Sequence, residues 1–261
     1  MISEVVFSKK FTSFWNGIFP HTSKFIRLVN SGLDRIDEPM PPIEDDRKNI
    51  ISIVNEAGFR LFNNLNSLKD IRHVSVLNKY LKDNSGLLDS IINDSESYIK
   101  NIDKGKIWEN FSISDQDKSD ILEISIRLMQ RFYPEHITIN PVFHGCGFIN
   151  ECKGDILVIN KNESSLKLVE IKSGDRNFNI SDFRQLLIYA GLNYADRDGL
   201  QIKNFELYNP RRGVSYQSSI KELCWDLGYI TPEEFFEEFI FYITETITLS
   251  LDLNNSLDVY K

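Results

Sequence analysis

GDILVIN (residues 154–160), LKLVEIKSG (166–174) and DFRQLLIYAG (182–191) decide how this chain is read. The first two are short apolar runs bounded by Gly, Asp, Asn and Ser, the pattern of β-strands, and NKNESS (160–165) between them predicts a hairpin loop. The third changes period: Phe183, Leu186, Leu187 and Ala190 recur at i, i+3, i+4 and i+7, which predicts a helix with Ser181 as its cap.

Outward from this centre, VFHGCGFIN (142–150) and KNFELYNP (203–210) also read as strands, and the NPRRG turn (209–213) leads into VSYQSSI (214–220). A closing helix is expected from TPEEFFEEF, where Thr231 caps, Pro232 takes the first helical position and Glu234 completes a capping box. Its aromatic stripe is expected to face the core. Upstream, KNIISIVNEAGFRLFNNL, HVSVLNKYLK, SGLLDSIINDSESYIKNI and SDILEISIRLMQRFY carry helical spacing, and EPMPPIE (38–44) ends whatever precedes it. The expectation is an α/β unit in residues 118–261 with a helical N-terminal elaboration, residues 1–117, joined without a linker as one unit.

The chain has 261 residues, 41% of them hydrophobic, enough for a substantial core. No apolar run approaches a membrane span and the N-terminus lacks a secretory layout, so a cytoplasmic protein without membrane contact is expected. Three cysteines, Cys146, Cys152 and Cys224, are too few for a disulfide framework and read as free thiols. His144, Cys146 and Cys152 match no familiar zinc spacing. The net charge of −8 argues against a protein that coats nucleic acid, but the sign is uneven. Residues 142–221 hold eleven Lys and Arg against nine acids, whereas the segment from Glu222 holds nine acids and one lysine. That suits a phosphate-binding groove beside a solvated or partner-facing helix.

Alternation along a strand puts Glu170 and Lys172 on one face and Ile171 on the other. If the hairpin pairs antiparallel, Asp155 lies near the far end of the partner strand, where its carboxylate can approach that of Glu170, and two carboxylates held close call for a cation between them. Hard oxygen donors, with the Ile171 carbonyl as the natural third, suit Mg²⁺ or Mn²⁺. Lys172 is then placed to orient a metal-bound water or to stabilise a developing oxyanion. Gln185 and Tyr189, four residues apart, project from one helix face near that centre. Arg184, Arg211 and Arg212 are candidates for phosphate contact, with Tyr208 and Tyr216 as stacking surfaces, although the two arginines of the turn could equally be solvating it. An ExK triplet by itself is common on half-exposed strands; the ordered series carries the information.

The order GD, EIK, QxxxY closely resembles the RecB-like branch of the PD-(D/E)XK nuclease superfamily, including small stand-alone prokaryotic members found among restriction and antiphage-defence genes. The resemblance spans roughly residues 141–220. It implies a mixed central β-sheet flanked by helices, a restriction-endonuclease-like core. It also implies a Mg²⁺-dependent nuclease acting on DNA ahead of RNA. In that scheme Asp155 and Glu170 are metal ligands, Lys172 is the catalytic lysine, and Gln185 and Tyr189 are the branch-defining pair. Relatives often add an acid from a helix before the sheet, and Glu123 is the candidate here. The four-cysteine iron–sulfur cluster of some relatives is excluded by the three cysteines. A catalytically silent nucleic-acid-binding or assembly module, with a protein partner or a second copy of the chain, is the competing expectation.

Overall fold

The alternation across residues 156–171 forms a hairpin at the centre of a six-stranded sheet in the computed structural model of the chain. The structure describes residues 1–43, 47, 50–66, 73–102, 112–133, 135–160, 165–196 and 201–258, without the side chains of 74, 160 and 246–258. Helices α1 (Glu4–Lys10), α2 (Thr12–Ile18) and α3 (Thr22–Ser31) lead into β1 (Asp34–Arg35). Helices α4 (Ile51–Leu65), α5 (Val74–Asp83), α6 (Leu87–Ile102) and α7 (Asp115–Phe132) follow. Then come β2 (Ile137–Ile139), β3 (Val142–Phe143), β4 (Cys152–Lys153), β5 (Ile156–Asn160) and β6 (Ser165–Ile171). The chain closes with α8 (Ile180–Asp196), β7 (Ile202–Asn209), β8 (Val214–Ser219), α9 (Ile220–Gly228) and α10 (Pro232–Asp258).

The sheet order is β1-β8-β7-β6-β5-β2, with β3 and β4 forming a separate ribbon. β6 and β7 run parallel, joined by the α8 crossover, and every other pair is antiparallel. The fold is therefore α/β, a mixed sheet flanked by helices. Of the expected hairpin loop, residues 161–164 lie outside the described residues, but the strands on either side pair in the expected sense, Asn160 opposite Ser165 and Ile156 opposite Val169.

Period-two alternation sends side chains into two cores. On one face Leu166 and Leu168 pack with Phe183, Leu187 and Ala190 of α8 and with Phe7, Trp15, Phe235 and Phe239. On the other, Ile156, Val158, Val169 and Tyr208 pack against Ala57 and Leu61 of α4 and Ile121, Ile124 and Leu128 of α7. The N-terminal helices are thus divided. α1 to α3 belong to the α8 layer and α4 to α6 to the opposite one, the chain passing between layers at the sheet edge, where β1 pairs with β8 and the Met40 N–H donates to the Arg211 carbonyl. The expected border between residues 117 and 118 falls inside α7, so it separates nothing.

Local signals were partly misplaced. α8 starts at Ile180, and its cap is Asn179, not Ser181: the Asp182 N–H donates to Asn179 Oδ1 (3.3 Å) while the Asn179 N–H donates back to the Asp182 carboxylate (2.9 Å). Ser181 instead donates its hydroxyl to Asn179 Oδ1. Of VFHGCGFIN, only Val142 and Phe143 are strand; the chain turns back at Gly147, which takes φ 55° and where an added Cβ would collide with the Ile243 carbonyl, between the bridged Cys146 and Ile149. Thr231 and Glu234 do form the expected reciprocal cap, at 2.7 and 3.2 Å.

Helix α10 packs tightly on α8 at Gly191, where an added Cβ would lie 2.5 Å from the ring of the buried Phe239. Alanine improves helix propensity by about 1 kcal/mol, whereas forcing a methyl into a packed core costs about 1–3 kcal/mol. Gly191→Ala is therefore expected to destabilise, lowering Tm by a few degrees. A thermal melt checks this, and an unchanged or raised Tm would mean that the Phe239 ring retreats at no cost.

Candidate active site

Asp155 directly precedes β5, and continuing the register one step beyond Ile156–Val169 sets it opposite Glu170. Its carboxylate accepts the Ile171 N–H at 2.7 Å, which ties the end of β6 to it. Glu170 shares the face of Leu166 and Leu168, so it points toward α8, while Ile171 joins the opposite core. Lys172 Nζ donates to Glu170 Oε1 (2.8 Å) and to Gln185 Oε1 (2.9 Å). Gln185 Nε2 donates to the Tyr189 hydroxyl (2.8 Å), which donates to the Lys153 carbonyl (3.0 Å). The polar chain runs from β6 to α8 and back to β4, two residues before Asp155.

Electrostatically this cluster is short of positive charge. Burial pushes both carboxyls above the usual carboxylate range, Glu170 to about 8, with the neighbouring Asp155 adding to the burial effect. For Asp155, Lys172 and the Ile171 N–H work in the opposite direction. Burial works against the charged Lys172, but Glu170 and Asp155 outweigh it and raise its pKa. One ammonium therefore faces two carboxylates. Glu170 is 4% exposed and its Oε2 has no hydrogen-bond partner, an arrangement that costs about 1–3 kcal/mol or more for a charged acceptor. Oxygen donors with an unused buried lone pair fit a small divalent cation, for which Asp155, Glu170 and the Ile171 carbonyl would be the protein ligands. Among the described residues, no three His, Cys, Asp or Glu side chains are grouped to hold a metal.

Several expected residues lie elsewhere. Arg184 is buried, donates to the Ser8 carbonyl and lies over the Trp15 ring, so it serves the core beneath α8 and cannot meet a phosphate. Arg211, 1% exposed, pairs with Asp120 of α7 at 2.8 Å. Tyr189 is also buried, stacked on Phe143, and acts on Gln185 instead of a substrate. Tyr208 is buried with its hydroxyl on Asp37, and Tyr216 packs on Phe25 and Phe183. Arg212 is half-buried and donates to the Arg176 carbonyl, beside the segment that follows Lys172. Glu123 is paired with Arg127, whose guanidinium is held by the Glu38 and Pro210 carbonyls, so its partner is fixed away from Asp155.

The helix that does reach the cluster is α4. Asn55 donates to the Ser173 carbonyl (3.0 Å), one residue past Lys172, and the next residue, Glu56, is the acid that raises the Asp155 pKa from outside the hairpin. Nothing in the sequence marked it except an i,i+4 pair with Arg60 (2.6 Å). Glu4 of α1, half-buried, adds negative potential at Cys152 and Tyr189. The thiols of Cys152 and Cys224 are each pushed up by burial to about 12 and are unreactive. The chain matches no protein-family model and no curated protein sequence.

A carboxyl whose pKa is raised from 4.5 in the unfolded chain to about 8 in the fold contributes stability below about 4.5 that drains away as pH rises toward 8. Without divalent ions, the stability of the native chain relative to Glu170→Gln should therefore fall across that window, and Mg²⁺ should recover it at the alkaline end. Urea titrations at a series of pH values test this; parallel curves for the two proteins would contradict the assignment.

Proposed function

We propose that the chain is a Mg²⁺- or Mn²⁺-dependent nuclease that hydrolyses DNA phosphodiester bonds. What carries the reading is Asp155 and Glu170 set side by side, one oxygen unpartnered, against a lysine that Gln185 holds in place. A bound divalent ion supplies a water of lowered pKa and charge to offset that on a phosphoryl oxygen.

The rest is done by the chain. Asp155 and Glu170 provide oxygen donors on a rigid hairpin, with the Ile171 N–H fixing the Asp155 rotamer. An ammonium has three protons; Lys172 uses two on Glu170 and Gln185, leaving the third for a phosphoryl oxygen or the attacking water. Gln185 positions that ammonium, and Tyr189 positions Gln185. Glu170 and Tyr189 are buried and the other members of the cluster half-buried, so each of these interactions is stronger than it would be in open water.

Incubating the protein with single- and double-stranded DNA and RNA, in Mg²⁺, Mn²⁺ or EDTA, tests the reading. Asp155→Ala and Lys172→Ala should each lower the rate by about 10²- to 10³-fold. Tyr189→Phe, which acts one step removed, should cost about tenfold in kcat at unchanged KM. Cleavage that survives EDTA, or that Lys172→Ala leaves intact, rules the proposal out. Cleavage of RNA alone would move the substrate, and divalent-ion and DNA binding without any cleavage would favour a silent module.

A further inference from the structure

Helix α4 borders the segment that follows Lys172. α4 is docked there through Asn55 on the Ser173 carbonyl, and one turn along it Arg60 holds Glu56 through Nε alone, at 2.6 Å. The Arg60 guanidinium lies 4.9 Å from the ring centroid of Tyr98 on α6. Tyr98 is 45% exposed, in a helix that buries Ile91 and Ile92. Its hydroxyl feels the same cluster: burial and Glu56 raise its pKa, Arg60 opposes them, and Asp155 and Glu4 add to the rise.

Resting on the nuclease reading above, we propose that Tyr98 and Arg60 form a nucleotide clamp at the mouth of the site, Tyr98 stacking on a base beside the scissile phosphate and the terminal nitrogens of Arg60 gripping its backbone. Two features fit the roles. The cation–π contact holds a long cationic side chain in one orientation, so little freedom is lost when it meets a phosphate. The bond to Glu56 uses Nε and not the two terminal nitrogens, the pair suited to bidentate contact with a phosphate. The geometry also selects a substrate. In an intact duplex both faces of every base are covered, so a ring fixed on a helix can stack only on a base that is already unpaired. The clamp therefore favours single-stranded segments, frayed ends or flaps over continuous duplex.

Fluorescence anisotropy of a labelled single strand and of its duplex, with Ca²⁺ replacing Mg²⁺ to suppress cleavage, tests this beside the cleavage assay. Tyr98→Ala should weaken single-strand binding by about 5- to 100-fold and leave duplex binding unchanged, while Tyr98→Trp keeps the wild-type affinity. Arg60→Ala should reduce the slope of log affinity against log salt by about one. Lys172→Ala should abolish cleavage yet still bind the single strand. If the wild type cuts, and Tyr98→Ala and Arg60→Ala bind the single strand as it does, the clamp is wrong and the nuclease reading stands. If the wild type prefers duplex, the clamp is wrong as well. If the wild type neither binds nor cuts any nucleic acid, both fall together.

Discussion

Two carboxylates opposite each other at the end of a hairpin, with one ammonium bonded to the second of them, are the constraint around which the rest of this chain is arranged. The opposite face of the same sheet shows what a charge-compensated alternative looks like. There the fully buried Glu206 is paired with Arg131 at 2.8 Å and with Lys167 at 3.3 Å, two cations for one acid. Around Glu170 the ratio is reversed, with Lys172 as the one cation beside two acids, Glu170 and Asp155. A buried group of this kind lowers stability, and here it stands beside the apolar side chains of Leu166, Leu168, Leu186 and Leu187.

The surrounding elements hold that arrangement rigid. The β5–β6 register brings Asp155 to Glu170; the α8 crossover delivers Gln185 to Lys172; β4 offers the carbonyl that anchors Tyr189. Helix α1 packs on α8 from one layer, and α4 sets Asn55 on the Ser173 carbonyl from the other. Helices of the N-terminal region thus support the site's elements from both layers.

Where chemistry depends on spacing within one strand or one helix, the sequence was sufficient. Glu170 and Lys172 share a face because strands have period two, and Gln185 and Tyr189 meet because helices bring i and i+4 together. Thr231 and Glu234 cap α10 for the same local reason. Where the partner lies far along the chain, sequence gave the wrong answer or none. Arg184 and Arg211 read as surface cations, yet the Ser8 carbonyl and Asp120, each distant in sequence, draw them inside. Glu56 stands in an ordinary amphipathic helix, and only the docking of α4 against Ser173 brings it near Asp155, where Glu123 of α7 was expected. β1 and β2 escaped notice because strands of two and three residues are too short to show alternation.

The claim that these oxygens form a divalent-cation seat is tested most directly by calorimetric titration of the protein with Mn²⁺. The account requires one binding site in the wild type that is lost in both Asp155→Asn and Glu170→Gln and kept in Lys172→Ala. Binding of equal strength in the wild type and the two carboxylate variants, or no binding to the wild type at all, would contradict it.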